Sequence, residues 1–241
     1  MIASEEKERL QDIAKYFSMK DGFNGYMNKY RVSKILEMCV GDTVIDIGSA
    51  DAFMAEALAP FFRRIVAVDG SLELVERARN RLSGIHNVEM IHALAEEFVT
   101  EEKFDLVLLS FILEHVVDPP KVINASASFI APGGAMFVMV PNALSLHRRI
   151  GVALGMMAAV DDFSDEDRRQ GHRRVYTEEL LRSHLEEGGV DVLDIGSFFI
   201  KPLSNPQMEK LDPNIADAFF TVSRDIPGLG SMLYAKCTPK K

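Results

Sequence analysis

Short apolar runs rich in Val, Ile and Leu alternate along the chain with longer stretches whose apolar residues recur every three or four positions. The runs read as buried strands and the stretches as helices. This pattern predicts strands at 43–47, 64–69, 87–91, 104–110, 135–140, 190–195 and 231–237. Between them it predicts helices at 52–59, at 71–81 capped by Ser71, at 120–130, and at 177–187 capped by Thr177 and stopped by Gly188-Gly189. Residues 4–40 read as two helices hinged at a turn over 21–25, the first with Leu10, Ile13, Ala14 and Phe17 on one face. A tight turn at 131–134 is expected to open the fifth strand. Five strand–helix alternations with short connections argue for an α/β fold, a doubly wound and mostly parallel seven-stranded sheet with helices on both faces.

In such a sheet ligands lie in the crevice at the carboxyl ends of the strands. Asp46 and Gly48, Asp69, and Ser110 all fall there. After the first strand come Gly48, Ser49, Ala50 and Asp51, small residues that let a ligand approach the backbone. Asp69 ends the second strand 21 positions after Gly48 and can accept hydrogen bonds from both hydroxyls of a ribose. The dinucleotide fingerprint G-x-G-x-x-G would be Gly48-x-Ala50-x-x-Phe53, with a bulky ring where helix and strand must touch. That argues against NAD.

An acid-x-Gly-x-Gly-x-Gly pattern, here Asp46-x-Gly48-x-Ala50-x-Ala52, resembles the first motif of the class I S-adenosylmethionine (SAM) dependent methyltransferases. Alanine stands at two of its three glycine positions. After the fourth strand, Leu113-Glu114-His115 followed by Asp118-Pro119 resembles that family's fourth motif in order, spacing and residue type, in the small-molecule branch typified by ubiquinone biosynthesis. The resemblance implies SAM as cofactor and a last strand inserted antiparallel beside the fifth. It implies cofactor contacts at Asp46, Gly48, Ser49, Ala50, Asp69, Gly70, Ser71 and Ser110, with Leu94 and Ala95 at the adenine, where Leu94 replaces the family's acid. It further implies one domain over 1–241: a helical cap at 1–40, a cofactor-binding core at 41–142, a substrate lid at 143–176 and C-terminal elements at 177–241. A second piece of lid is expected within 201–230, with a helix near 214–221.

The chemistry implied is in-line transfer of a sulfonium methyl to an oxygen or nitrogen nucleophile of a small acceptor. Position and orientation are most of what it asks of the protein, and a hydroxyl acceptor also needs a base. His115, His147 and His172 are the candidates, each equally readable as a structural hydrogen-bonding group. Tyr16, Tyr26, Asn28 and Arg31 in the cap, and Asn142, His172, Arg173, Arg174 and Tyr176 in or beside the lid, are candidates to line the acceptor site. His172-Arg173-Arg174 would clamp an anionic part of the acceptor, or else pair on the surface with the acids of 161–167. The apolar stretch 150–160 would receive a lipid-like or aromatic acceptor, pack on the domain, or meet a second copy in a homodimer. A SAM- or nucleotide-binding module without catalysis is the other reading of the alanine-bearing turn.

Composition narrows the partners. A chain of 241 residues, 47% hydrophobic, can bury one large core. Its net charge of −9 speaks against a general nucleic-acid binder, which needs a basic face. Two distant cysteines, Cys39 and Cys237, have no metal-ligand spacing and suit free thiols in a reducing cytoplasm. The charged first nine residues do not resemble a signal peptide, and 150–160 falls well short of the roughly 20 residues that cross a bilayer.

Overall fold

A computed structural model describes residues 9–11, 13, 14 and 22–240. Seven strands among them, β1 (Thr43–Ile47), β2 (Arg64–Asp69), β3 (Val88–His92), β4 (Phe104–Ser110), β5 (Ile130–Pro141), β6 (Val190–Phe198) and β7 (Met232–Pro239), form one sheet in the order β3-β2-β1-β4-β5-β7-β6. β1 to β5 pair in parallel, and β7 lies antiparallel between β5 and β6. The labelled helices are α1 (Gly22–Met38), α2 (Phe53–Leu58), α3 (Leu72–Arg81), α4 (Pro119–Ala127), α5 (Leu146–Ala153), α6 (Asp165–Arg169), α7 (Glu178–Glu187), α8 (Asn205–Met208) and α9 (Pro213–Val222). None of the described helices is long and apolar enough to cross a membrane.

The alternation of side chains along each strand divides the core in two. Val44, Ile65, Ala67, Leu106, Leu108, Phe137 and Met139 face one side, with Met27 and Ile35 of α1 and Val75 of α3. Ile45, Ile47, Val66, Val68, Val107, Leu109 and Val138 face the other, with Val122 and Ile123 of α4 and Leu181 and Leu185 of α7. Every one of these strand side chains is essentially inaccessible, and burying a side chain of the larger kinds contributes about 1.5–3 kcal/mol. Both faces are therefore covered, as a parallel sheet requires. The order jumps at the β1–β4 pair, and the crevice opens at the carboxyl ends of those strands.

Several elements differ from the sequence pattern for physical reasons. Of the turn expected at 21–25, residues 22–25 form the first turn of α1 and Asp21 lies outside the described residues; Phe23, Met27 and Tyr30 all bury on one face, and their packing overrides the weak helix propensity of Gly22 and Gly25. The turn expected at 131–134 is taken into β5 as an irregularity between Phe104 and Leu106 of the partner strand. Gly134 permits it: a Cβ there would lie 2.8 Å from the Asp105 carbonyl oxygen. No helix separates β3 from β4, and β6 continues to Phe198. The helix expected near 214–221 is α9, and the cap at Ser71 accepts from the Leu74 amide as expected.

Candidate active site

The turn after β1 is built tightly. The amides of Gly48 and Ser49 both donate to the Val68 carbonyl, at 2.8 and 3.0 Å. Gly48 (φ 78°), Ala50 (φ 50°) and Ala52 (φ 57°) all take the left-handed conformation, so the two alanines occupy positions where glycine would be unstrained. A Cβ on Gly48 would sit 2.6 Å from Ile112 of the turn after β4. Asp69 holds the loop: its Oδ2 accepts from the Ala50 amide and its Oδ1 from the Ser71 amide, each at 2.8 Å. Each oxygen keeps a further lone pair. Arg81 of α3 pairs with Asp51 at 2.7 Å and stands over the Phe53 ring, tying the turn to the neighbouring helix.

Asp46 is buried, and neither carboxylate oxygen has a hydrogen-bond partner among the described residues. Burial first, and the Asp69 charge second, push its carboxyl up to about 7. Such a group costs free energy until a donor or cation meets it. Together with the spare acceptor capacity of Asp69 and the closely packed Gly48 turn, this donor-seeking wall fits a ligand carrying an amine and ribose hydroxyls.

A cavity of about 1340 Å³ joins this wall to the lid. Ligand pockets commonly occupy roughly 300–1,000 Å³, so this one has room for two ligands. Asp46, Gly48, Ser49, Ala50, Asp69 and Ser110 border it on one side; Arg31, His115, His147 and His172 border it elsewhere. The expected adenine contacts Leu94 and Ala95, with Gly70, line a second recess of only about 40 Å³ that shares Gly48 and Asp69 with the cavity. Leu10 and Leu94 close over Gly70 there, within 3 Å of where its Cβ would be. Ser71 is fully buried as a helix cap and borders neither space.

Across the cavity the insertion after β5 carries its own charge network. Asp167 Oδ1 lies 2.9 Å from His172 Nδ1, and Asp167 Oδ2 accepts from the Ser164 amide at 2.8 Å, the Ser164 hydroxyl at 2.6 Å and the Arg148 guanidinium. Although burial opposes ionisation, these donors and charges hold the Asp167 carboxyl well below the usual carboxylate range. Arg148 also donates to the carbonyls of Val160 and Asp162, closing the loop. His115 stacks edge-on against His172 with ring centres 4.8 Å apart, and burial, the His172 charge and nearby arginines push it down to about 3. His147 is pushed down to about 2 by burial and by Lys201, and its Nδ1 has no partner among the described residues. Glu114 is buried beside His172 and Arg31 and is pushed up to about 7. Donor atoms of Glu114, His115 and His172 lie within 4.8 Å of one another, close enough to pass a proton or share a metal ion.

Several expected acceptor contacts lie elsewhere. Arg174 spends its guanidinium on the carbonyls of Leu113, Val116 and Val117, and Arg173 donates to the His115 carbonyl. Neither borders the cavity, so they staple the lid to the turn after β4 rather than clamp an anion. Nor do they pair with the acids of 161–167 in the bonds described; Arg148 and His172 take Asp167 instead. Tyr176 is fully buried, its hydroxyl between the Leu113 carbonyl and His184. Asn142 borders the cavity, but its amide is held by the Gly228 and Gly230 carbonyls. Tyr26 packs against Phe23 and Tyr30 outside the cavity, and Asn28 is buried against Arg31. Arg31 does reach the cavity, stacked 4.3 Å from the Phe111 ring centre. Tyr16 lies outside the described residues. Sequence reasoning missed Arg148 and Lys201, while the alternative that the basic cluster meets the acids of 161–167 holds, in the bonds described, for His172 alone, in a buried pair with Asp167; the Ser164-x-x-Asp167 capping box was the one local signal.

Residues 6–195 match the family model described as a methyltransferase domain, and the chain belongs to that family. It is of the SAM-dependent methyltransferase class, with SAM as its cofactor. It is 35% identical over 116 residues to a ubiquinone biosynthesis O-methyltransferase of Xanthomonas euvesicatoria, covering 46% of this chain and 47% of that protein. The chain thus spans about half the length of that curated relative in the match. To the ubiquinone biosynthesis O-methyltransferase of Coxiella burnetii it is 26% identical over 224 residues, 85% of this chain and 92% of the relative. The N-methyltransferase NodS of Bradyrhizobium japonicum, in complex with S-adenosylhomocysteine, shares the fold with a TM-score of 0.61 at 17% identity, covering 99% of each chain.

Proposed function

We propose that this enzyme methylates a hydroxyl oxygen of a small acceptor with an apolar or aromatic body. The observation that carries the reading is one cavity joining the Asp46 and Asp69 wall to a histidine held by a buried carboxylate. SAM, when bound, supplies an electrophilic methyl group on a thioether leaving group. Asp46 and Asp69 would hold its amine and ribose hydroxyls, and Ser49 and Ala50 would border it. Asp167 fixes the His172 ring through Nδ1, leaving Nε2 to take the proton of the acceptor hydroxyl, and the Asp167 charge stabilises the imidazolium that results. His115 and His147, both pushed far below neutrality, are poor bases and serve to shape the site. Ile150, Leu154, Met156 and Met157 offer an apolar wall for the acceptor body.

The naming of the curated relatives as O-methyltransferases supports oxygen over nitrogen. We read residues 1–241 as one domain, since the described sheet runs from Thr43 to Pro239 without division. Both thiols, Cys39 and Cys237, are buried and free, which suits a cytoplasmic protein. The test is methyl transfer from labelled SAM to a panel of catechols and phenols, with amines of matched shape as controls. Transfer to amines alone would overturn the oxygen assignment.

A further inference from the structure

Lys201 is a cation at the cavity that the mechanism above leaves unused. Lys201 follows β6 by three residues, beyond Phe199, which is fully buried in the left-handed conformation at φ 62°. That conformation is disfavoured in a residue other than glycine, so the packing around Phe199 enforces the bend that precedes Lys201. Lys201 borders the cavity together with His147 and Asn205. Its Nζ donates to Asn205 Oδ1 at 2.7 Å and lies 5.3 Å from the Phe23 ring centre. Among the described residues no carboxylate stands at ion-pair distance from it; Asp167 and Glu166 act only through longer-range attraction, while Arg148 repels it. Arg148 itself is neutralised by Asp167. Burial and Arg148 together bring the Lys201 ammonium down to about 8, the behaviour of a cation lacking its counter-charge. Beside it, His147 keeps a buried ring nitrogen without a partner among the described residues and feels Lys201 as the strongest charge acting on it.

We propose that Lys201, with His147 beside it, forms a carboxylate-binding subsite of the acceptor pocket, so that the acceptor is an apolar or aromatic hydroxy acid. This rests on the reading that the cavity holds an acceptor. A single ammonium with an adjacent neutral imidazole matches a monoanion: Nζ has three donors, of which one goes to Asn205, and a neutral imidazole can donate one more. The apolar Ile150, Leu154, Met156 and Met157 border the same cavity and would pack on the body of such an acid. The subsite also replaces the clamp expected at Arg173 and Arg174, neither of which borders the cavity.

The experiment is calorimetric titration of the protein saturated with S-adenosylhomocysteine, using 3,4-dihydroxybenzoate and catechol, which differ only in the carboxylate. Wild type is expected to prefer the acid by about tenfold or more, the effect of one hydrogen bond to a charged group. Lys201→Met should abolish the preference while leaving catechol and S-adenosylhomocysteine binding unchanged, and Lys201→Arg should keep it. An unchanged preference in Lys201→Met overturns the subsite. So does a wild type that shows no preference or binds neither probe, and so does loss of the preference in Lys201→Arg together with a lowered melting temperature. Failure of the methyltransferase reading looks different: wild type would then not bind S-adenosylhomocysteine at all.

Discussion

The two walls of the cavity handle charge in opposite ways. On the strand-end wall Asp46 is buried with both oxygens unmet among the described residues, and its carboxyl is pushed up to about 7. On the lid wall Asp167, also buried, is surrounded by Ser164, Arg148 and His172 and is held far below the usual carboxylate range. The first wall is incomplete without a ligand that brings donors. The second is complete in itself and stores its order in a dyad ready to handle a proton. The difference teaches that, on the proposed function, cofactor recognition depends on unmet need in the protein, whereas the base depends on need already met.

The largest effect should come from removing the lid's base. His172→Asn is expected to lower kcat by about 10²–10⁴, roughly 3–5 kcal/mol of barrier, with SAM affinity unchanged. Single-turnover kinetics at saturating SAM would measure it, and a variant with wild-type turnover would remove His172 from the chemistry.

Stability against pH separates the walls next. Asp46 binds its proton more tightly folded, to about 7, than unfolded, near 3.8. Between those values the unfolded state holds fewer protons, so the Asp46 contribution to stability falls as pH rises from about 4 to 7 and levels off above, by of the order of 4 kcal/mol. Asp167 has the opposite sign: its contribution is present above its unfolded value and is lost only as pH falls further. Urea unfolding at pH 4.5 and 7.5 should therefore show a slope that Asp46→Asn flattens. An Asp46→Asn variant with the wild-type slope would show that the unmet carboxyl is not its source.

The same contrast explains what could be read from the chain. Strand positions such as Val44, Ile45 and Ile47 obey a period set by the backbone, so β1, β2 and β4 were legible, with the acids Asp46 and Asp69 at the ends of the first two. The lid follows no such period. Arg173 and Arg174 look like an anion clamp because of their type, yet their direction is set by the carbonyls that the turn after β4 leaves open, from Leu113 to Val117. Asp167 and Arg148 lie 19 positions apart and meet only when 150–164 folds back on itself. Lys201 gains its meaning from what does not surround it, which no local pattern records.

Of middle size is the removal of Asp69. Asp69→Ala should weaken SAM binding by about 1.5–3 kcal/mol, the scale of a hydrogen bond to a charged group, and should also loosen the turn whose Ala50 and Ser71 amides it accepts. Asp69→Asn keeps one carbonyl acceptor and should lose less. Calorimetry on the two variants would sharpen the comparison, and unchanged affinity in Asp69→Ala would take the ribose contact away from this residue.

The smallest effect tests whether the strand-end wall also stores backbone strain. Ala50 and Ala52 both hold positive φ, at 50° and 57°. A residue with a Cβ loses about 1–2 kcal/mol in that region, and glycine does not. Glycine returns about 0.4–1 kcal/mol of that through the greater freedom of the unfolded chain. Ala50 is half-buried, so Ala50→Gly should stabilise the protein by about 0.5–1 kcal/mol on balance. Ala52 is fully buried, and losing its methyl costs a further ~0.8 kcal/mol, so Ala52→Gly should be close to neutral. Urea titrations of both variants, each with an unchanged denaturant slope, would read the difference. Should Ala50→Gly prove the more destabilising of the two, the turn is relaxed as it stands, and the strain assigned to this wall belongs to its unmet carboxyl alone.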